Sequence, residues 1–248
     1  MKRSLAVLAV LGAFSVAGAH DFWLAGQNDD KLRVQIGFGD GFATCEPIDK
    51  QRENNFEIPV VIDKNGKKIE LKRTSENYKF EGEKQPEGVY IITGQYKPTF
   101  WTEDKSGKWH MGGTKDTIKD AKFCRRATML AKGVINTQAG DLITKPVGER
   151  LEIVPLENPA NFKANKPFKI KVLFEGKPLA ETAVEGAPDG FLEDMSAFYG
   201  MTDDKGEIEV LALKPGPWIL KARNKLAFSD PKKCDEETII ASFAFEVK

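Results

Sequence analysis

Short apolar runs closed by turn residues occupy most of this chain. Leu32 to Phe38 alternates apolar with polar or small residues and ends in Gly39-Asp40-Gly41. Val60-Val61-Ile62 runs into Asp63-Lys64-Asn65-Gly66 and then Ile69-Glu70-Leu71, the pattern of a hairpin. Gly88 to Tyr96 reads as a strand, and Lys97 to Trp101 as its aromatic extension. Beyond Gly148 the spacing becomes regular and predicts six or seven strands. They fall at Leu151–Leu156, Phe168–Phe174, Ala183–Glu185, Ala197–Met201, Ile208–Leu213, Trp218–Arg223 and Ile239–Val247. Short strands at this spacing, without helices between them, indicate an immunoglobulin-like or transthyretin-like β-sandwich.

One segment departs from the pattern. From about Thr114 to Ile135 good helix formers dominate, and Ile118, Ala121, Phe123 or Cys124, Met129, Leu130 and Val134 supply apolar positions. Thr114-Lys115-Asp116 offers capping chemistry at its start. The expectation is one helix over residues 114–135, packed across a sheet. Ala139 to Gly148 reads as a connector. The chain is therefore expected to be mainly β, with an N-terminal β-rich domain (20–147) that carries the helix and a C-terminal sandwich (148–248).

The first 19 residues have a different character. Met1-Lys2-Arg3 is basic, Leu5 to Val16 is apolar, and Ala17-Gly18-Ala19 is small where a signal peptidase reads. The apolar run is short of the ~20 residues that a spanning helix needs. No Cys stands at the junction to take a lipid. The expectation is a secretory signal cleaved after Ala19, a periplasmic location, and a mature chain that does not span the membrane.

Charge narrows the partners. Taking Lys2 and Arg3 from the 37 basic residues leaves 35 against 37 acidic ones, which argues against nucleic acid. Three cysteines remain, Cys45, Cys124 and Cys234, none in a C-x-x-C spacing. In an exported protein two of them tend to pair. The sequence permits all three pairings. Cys124–Cys234 is the favoured one, with Cys45 left over.

Cleavage after Ala19 makes His20 the first residue, so that its α-amine and imidazole can chelate one borderline metal such as Ni²⁺ or Cu²⁺. The chain has only two histidines, His20 and His110. A metal site would therefore join His20 to His110, or to carboxylates near the early turn (Asp21, Asp40, Glu46) and the odd Cys45. His110 lies in the Gly-rich loop Lys108-Trp109-His110-Met111-Gly112-Gly113, where Met111 could add a thioether. No nucleophile elbow surrounds a Ser, and Gly37-Phe38-Gly39-Asp40-Gly41 lacks the lysine and spacing of a phosphate loop. No pair of carboxylates is singled out. Phe22, Trp23, Phe100, Trp101 and Trp109 read mostly as core.

Several segments carry a resemblance. They are Ala19-His20-Asp21-Phe22-Trp23-Leu24, Gly148 to Pro159, Val172 to Leu179, Thr202 to Gly206 and Gly216 to Ala222. Together they resemble the exported family numbered 4198 among the domains of unknown function. The resemblance implies metal binding outside the cell, through a nickel-uptake label, as an accessory to nickel/cobalt importers. It also implies a Gly-His pair after the first strand. Here Gly39-Asp40 stands in that place, which implies either an altered site with Asp40 as ligand or no metal site at all.

The leading expectation is thus a non-enzymatic periplasmic protein that binds nickel, or copper or cobalt, through His20 with Asp40 or His110 and serves a membrane metal permease. The second is a protein- or glycan-binding module with no metal site. The third is a copper oxidoreductase using His20 and His110 as a histidine brace.

Overall fold

The structure is a computed structural model that describes residues 20–191 and 196–248. The signal segment lies outside the described residues. Among the described residues seventeen strands follow one another: β1 (Asp21–Asn28), β2 (Leu32–Gly39), β3 (Val60–Ile62), β4 (Lys68–Ile69), β5 (Lys72–Arg73), β6 (Lys79–Gly82), β7 (Tyr90–Asp104), β8 (Trp109–Met111), β9 (Ala121–Ile135), β10 (Leu151–Pro155), β11 (Pro167–Phe174), β12 (Lys177–Pro178), β13 (Ala183–Pro188), β14 (Phe198–Met201), β15 (Glu207–Leu211), β16 (Gly216–Ala227) and β17 (Glu236–Val247).

They form three sheets. A nine-stranded sheet runs β14-β13-β16-β17-β9-β7-β3-β4, with β8 added beside β7. Strands from both sides of Gly148 share it, because β17 pairs in parallel with β9. A four-stranded sheet, β1-β2-β6-β5, lies over one face, and β10, β11, β12 and β15 lie over the other. The central strands send alternate residues into two cores. Ile91, Leu130, Ile239, Ala241 and Phe243 meet Leu151, Ile153, Phe168, Ile170 and Val172 of the C-terminal layer. Tyr90, Ile92, Met129, Ala131 and Ile240 meet Phe22, Leu24, Val34, Ile36 and Phe80 of the N-terminal layer. The C-terminal layer and the sheet beneath it make a β-sandwich, and that sheet takes β3, β4, β7, β8 and β9 from the chain before Gly148.

The helix expected at 114–135 is not formed. Residues 115–120 are turns and a bend, and 121–135 is the 15-residue strand β9. The physical reason lies in its two covered faces. A strand buried on both sides has no polar face, so Thr128 to Gly133 is buried without alternation and its good helix formers mimic a helix. Long pairings with β7 on one side and β17 on the other then override propensity. Gly133 serves this packing. A Cβ there would lie 2.6 Å from the carbonyl oxygen of Leu24, so β1 can rest on β9 only because the side chain is missing. Gly37 does the same for Trp23, whose indole lies across it.

Cys124 and Cys234 are joined, as favoured, but Cys124 stands on a strand rather than a helix. The bond ties the start of β9 to the segment before β17. Cys45 is free and half-buried, and burial pushes its thiol up.

Candidate functional site

Hairpin register builds the first part of the site. In the β1–β2 pair Asp21 stands opposite Gly39, so the next residues outward, His20 and Asp40, also face each other. His20 Nδ1 lies 3.0 Å from Asp40 Oδ1. Both side chains are more than a third exposed, at 37% and 41%. The His20 ring also meets Phe38 edge-on at 5.0 Å, which holds the imidazole against the hairpin.

Next to this pair the N-terminal layer stops short and leaves part of the long sheet open. On β9, Arg125, Ala127 and Met129 share one face. The register sets Trp101 of β7 beside Arg125, and Trp109 of β8 lies on the same face as Trp101. Arg223 of β16 and Ile240 of β17 continue that face. The resulting cleft of ≈ 230 Å³ is lined by His20, Phe38, Arg52, Tyr96, Trp101, Trp109, Arg125 and Arg223, among others. A second hollow of ≈ 220 Å³ adjoins it and shares His20, Met129, Arg223 and Ile240. Together they have the size of a small-molecule site.

Cation–π contacts hold two of the cleft's three arginines. The Arg52 guanidinium lies 5.4 Å from the Phe38 ring and 5.5 Å from the Trp101 ring. Arg125 lies 4.9 Å from the ring of Trp109. Burial, and then repulsion from Arg223, pull Arg125 below its ordinary range. The carboxylate that opposes this, Glu236, accepts from the Thr238 hydroxyl and lies 3.7 Å from Lys225.

The other sequence candidates are placed apart. His110 pairs with Thr102, one position out of phase with Trp109 and Trp101, so its side chain points to the opposite face. There its Nε2 lies 2.8 Å from Asp104 Oδ2. Hydrogen bonds from His110 and Ser106 hold the Asp104 carboxyl far below the usual carboxylate range. The structure thus pairs His20 with Asp40 and His110 with Asp104, on different faces. Asp21 is held by Lys221 at 2.8 Å, yet burial outweighs that contact and raises its carboxyl. Glu46 is exposed, and Cys45 packs at the edge of the Trp23–Phe42 cluster. Met111 lies within 4.0 Å of the Tyr96 hydroxyl. Among the described residues no group of three or more His, Cys, Asp and Glu side chains gathers as a metal cluster.

Of the five aromatics noted in the sequence, Phe22 and Trp23 are core at 2% exposure, whereas Trp101 and Trp109 line the cleft. Arg52, Arg125 and Arg223 were not legible as site residues. They lie far apart in sequence, and a chain of balanced charge gives no sign that three cations converge.

The sequence profile described as "Domain of unknown function (DUF4198)" matches residues 17–226. The chain belongs to that family. A relative in Haemophilus influenzae, an uncharacterized protein, is 27% identical over 209 residues, covering 83% of this chain and 80% of its own length. Looser likenesses extend to solved structures. The D00-D0 domain of Intimin matches 92% of this chain and 100% of its own at 11% identity and a TM-score of 0.23. A segment of alpha-2-macroglobulin from Escherichia coli, spanning domains MG0-NIE-MG1, matches 88% of this chain and 94% of its own at 9% identity and a TM-score of 0.26. Such scores bear on neither site nor function. No helix among the described residues is long and apolar enough to cross a membrane.

Proposed function

We propose that this family member is exported, is cleaved after Ala19, and binds a divalent transition metal through His20 and Asp40. The observation that carries the reading is the 3.0 Å separation between His20 Nδ1 and Asp40 Oδ1. Nδ1 is the ring nitrogen that closes a six-membered chelate with the α-amine of the same residue. Two ligands at right angles around a metal, each at about 2.1 Å, are themselves about 3 Å apart. Cleavage would therefore add the amine to an imidazole and a carboxylate already spaced as neighbouring ligands. A set of two nitrogens and one oxygen suits Ni²⁺ or Cu²⁺ over Ca²⁺ or Mg²⁺. Delivery to a nickel or cobalt permease is the further step of this reading, and it rests on the sequence resemblance alone. His110 takes no part, since it faces away beside Asp104.

Isothermal titration of the processed protein with Ni²⁺, Cu²⁺, Co²⁺ and Zn²⁺ tests the reading. Addition of one residue before His20 is expected to abolish tight binding, and Asp40→Ala to weaken it about tenfold, the loss of one charged ligand. Equal binding by all three proteins would remove the chelate. Sequencing of the exported chain must show His20 first.

A further inference from the structure

We infer that the cleft beside His20 is a binding site for a small organic anion, a carboxylate carried on a flat apolar body. Arginine pairing across the protein points there. The chain has seven arginines among its described residues. Four are ion-paired: Arg33 with Asp30, Arg73 with Glu53, and Arg126 and Arg150 with Glu237. The other three are Arg52, Arg125 and Arg223, and all three line this one cleft. Among the described residues none of their guanidinium groups donates a hydrogen bond to a protein acceptor, and the Arg125 Nε is buried without a partner.

A guanidinium held over a ring by a cation–π contact still has N–H donors to offer to something else. A carboxylate accepts such donors two at a time, and that bidentate bond is among the strongest a neutral-pH site can make. Apart from His20 and Thr238, the rest of the wall is formed by aromatic and aliphatic side chains. Phe38 and Tyr96 stack with an interplanar angle of 3°, while Trp101, Trp109, Ala127, Met129 and Ile240 complete the lining. Cations held over flat aromatic walls select a molecule that offers both an anionic group and a flat apolar body. A carboxylate is favoured over a phosphate because the wall consists of strand side chains. No α-helix N-terminus or glycine nest, the usual device for a doubly charged phosphate, borders it among the described residues. The site stands independently of the metal chelate, because its residues would bind an anion in metal-free protein.

The experiment is isothermal titration of the metal-free processed chain, in chelator, with naphthalene-2-carboxylate, acetate, naphthyl phosphate and inorganic phosphate. Naphthalene-2-carboxylate is expected to bind most tightly. Arg125→Gln and Arg52→Gln should each weaken it about tenfold or more, the loss of one charge-assisted bond. Trp109→Leu should weaken it as well, and Arg33→Gln, far from the cleft, should leave it unchanged. Circular dichroism establishes that each variant is folded. Arg52 precedes a short 3₁₀ turn outside the sheets, so Arg52→Gln reads the site even where Arg125→Gln disturbs β9. No binding of any probe, or equal affinity in both arginine variants, overturns the site. Acetate binding as tightly as the naphthyl acid overturns the apolar body, and tighter binding of naphthyl phosphate overturns the carboxylate.

Discussion

Arg125 and Arg126 are neighbours in sequence and have opposite fates. Arg126 turns toward the face covered by the C-terminal layer, where Glu237 holds it together with Arg150. Arg125 turns toward the face that the N-terminal layer leaves partly bare, where a tryptophan ring lies beneath it and no carboxylate among the described residues forms an ion pair with it. On the first face charges are closed off by partners. On the second they remain available. The difference teaches where to look for a ligand: among the described residues, the arginines without an ion pair lie where the packing layer ends.

The covered face gives the largest test. Lys132 of β9 is 3% exposed and Glu152 of β10 is 2% exposed, with Nζ and Oε1 2.9 Å apart. Glu152 also accepts from the backbone N–H groups of Val147 and Gly148. Burial pulls the Lys132 ammonium below its ordinary range, against the attraction of Glu152. Lys132→Met leaves a buried carboxylate without its cation and should cost about 3–5 kcal/mol. The double change with Glu152→Leu should recover most of it. Denaturant unfolding measures both, and a small loss in the single variant would mean that this face is wetter than its packing implies.

The Glu237 clamp predicts an intermediate effect that depends on pH. Burial raises its carboxyl, but hydrogen bonds from Arg150 at 2.9 and 3.2 Å and from Arg126 outweigh it and leave the group lowered. A lowered carboxyl stabilises the fold fully above its unfolded value, near pH 4.5, and that contribution is lost as pH falls through the lower folded value. Wild type should therefore lose stability below pH 4.5 more steeply than Glu237→Gln. Parallel acid curves would break the clamp.

The open face predicts the smallest change. Arg125→Gln removes one cation–ring contact and no ion pair, so its thermal unfolding should shift by less than about 1 kcal/mol. A stability loss as large as that of Lys132→Met would erase the contrast between the two faces.

Much of the strand plan was legible in the chain. Phe168-Lys169-Ile170-Lys171-Val172 alternates because β11 has one core face and one wet face, and the structure places Phe168, Ile170 and Val172 in the core. The turn at Asp63-Lys64-Asn65-Gly66 joins β3 to β4 as its residues indicate. The residues of β9 suggest a helix instead, because a strand with two buried faces shows no alternation. Of the site, the approach of His20 to Asp40 lay in the two sequence stretches but needed hairpin register to join them. The separation of His110 from His20 could not be read at all, because one step of strand phase decides it.

Local sequence determined the period-two strands, the turns, the small set of metal-ligating side chains and the balance of charge, since each depends on residues near one another along the chain. Only tertiary structure decided which strands lie between two layers, which cysteines meet, and which three arginines have no ion pair among the described residues. Those outcomes depend on pairings across a hundred or more residues, and on where one sheet ends over another, and no local pattern carries that information.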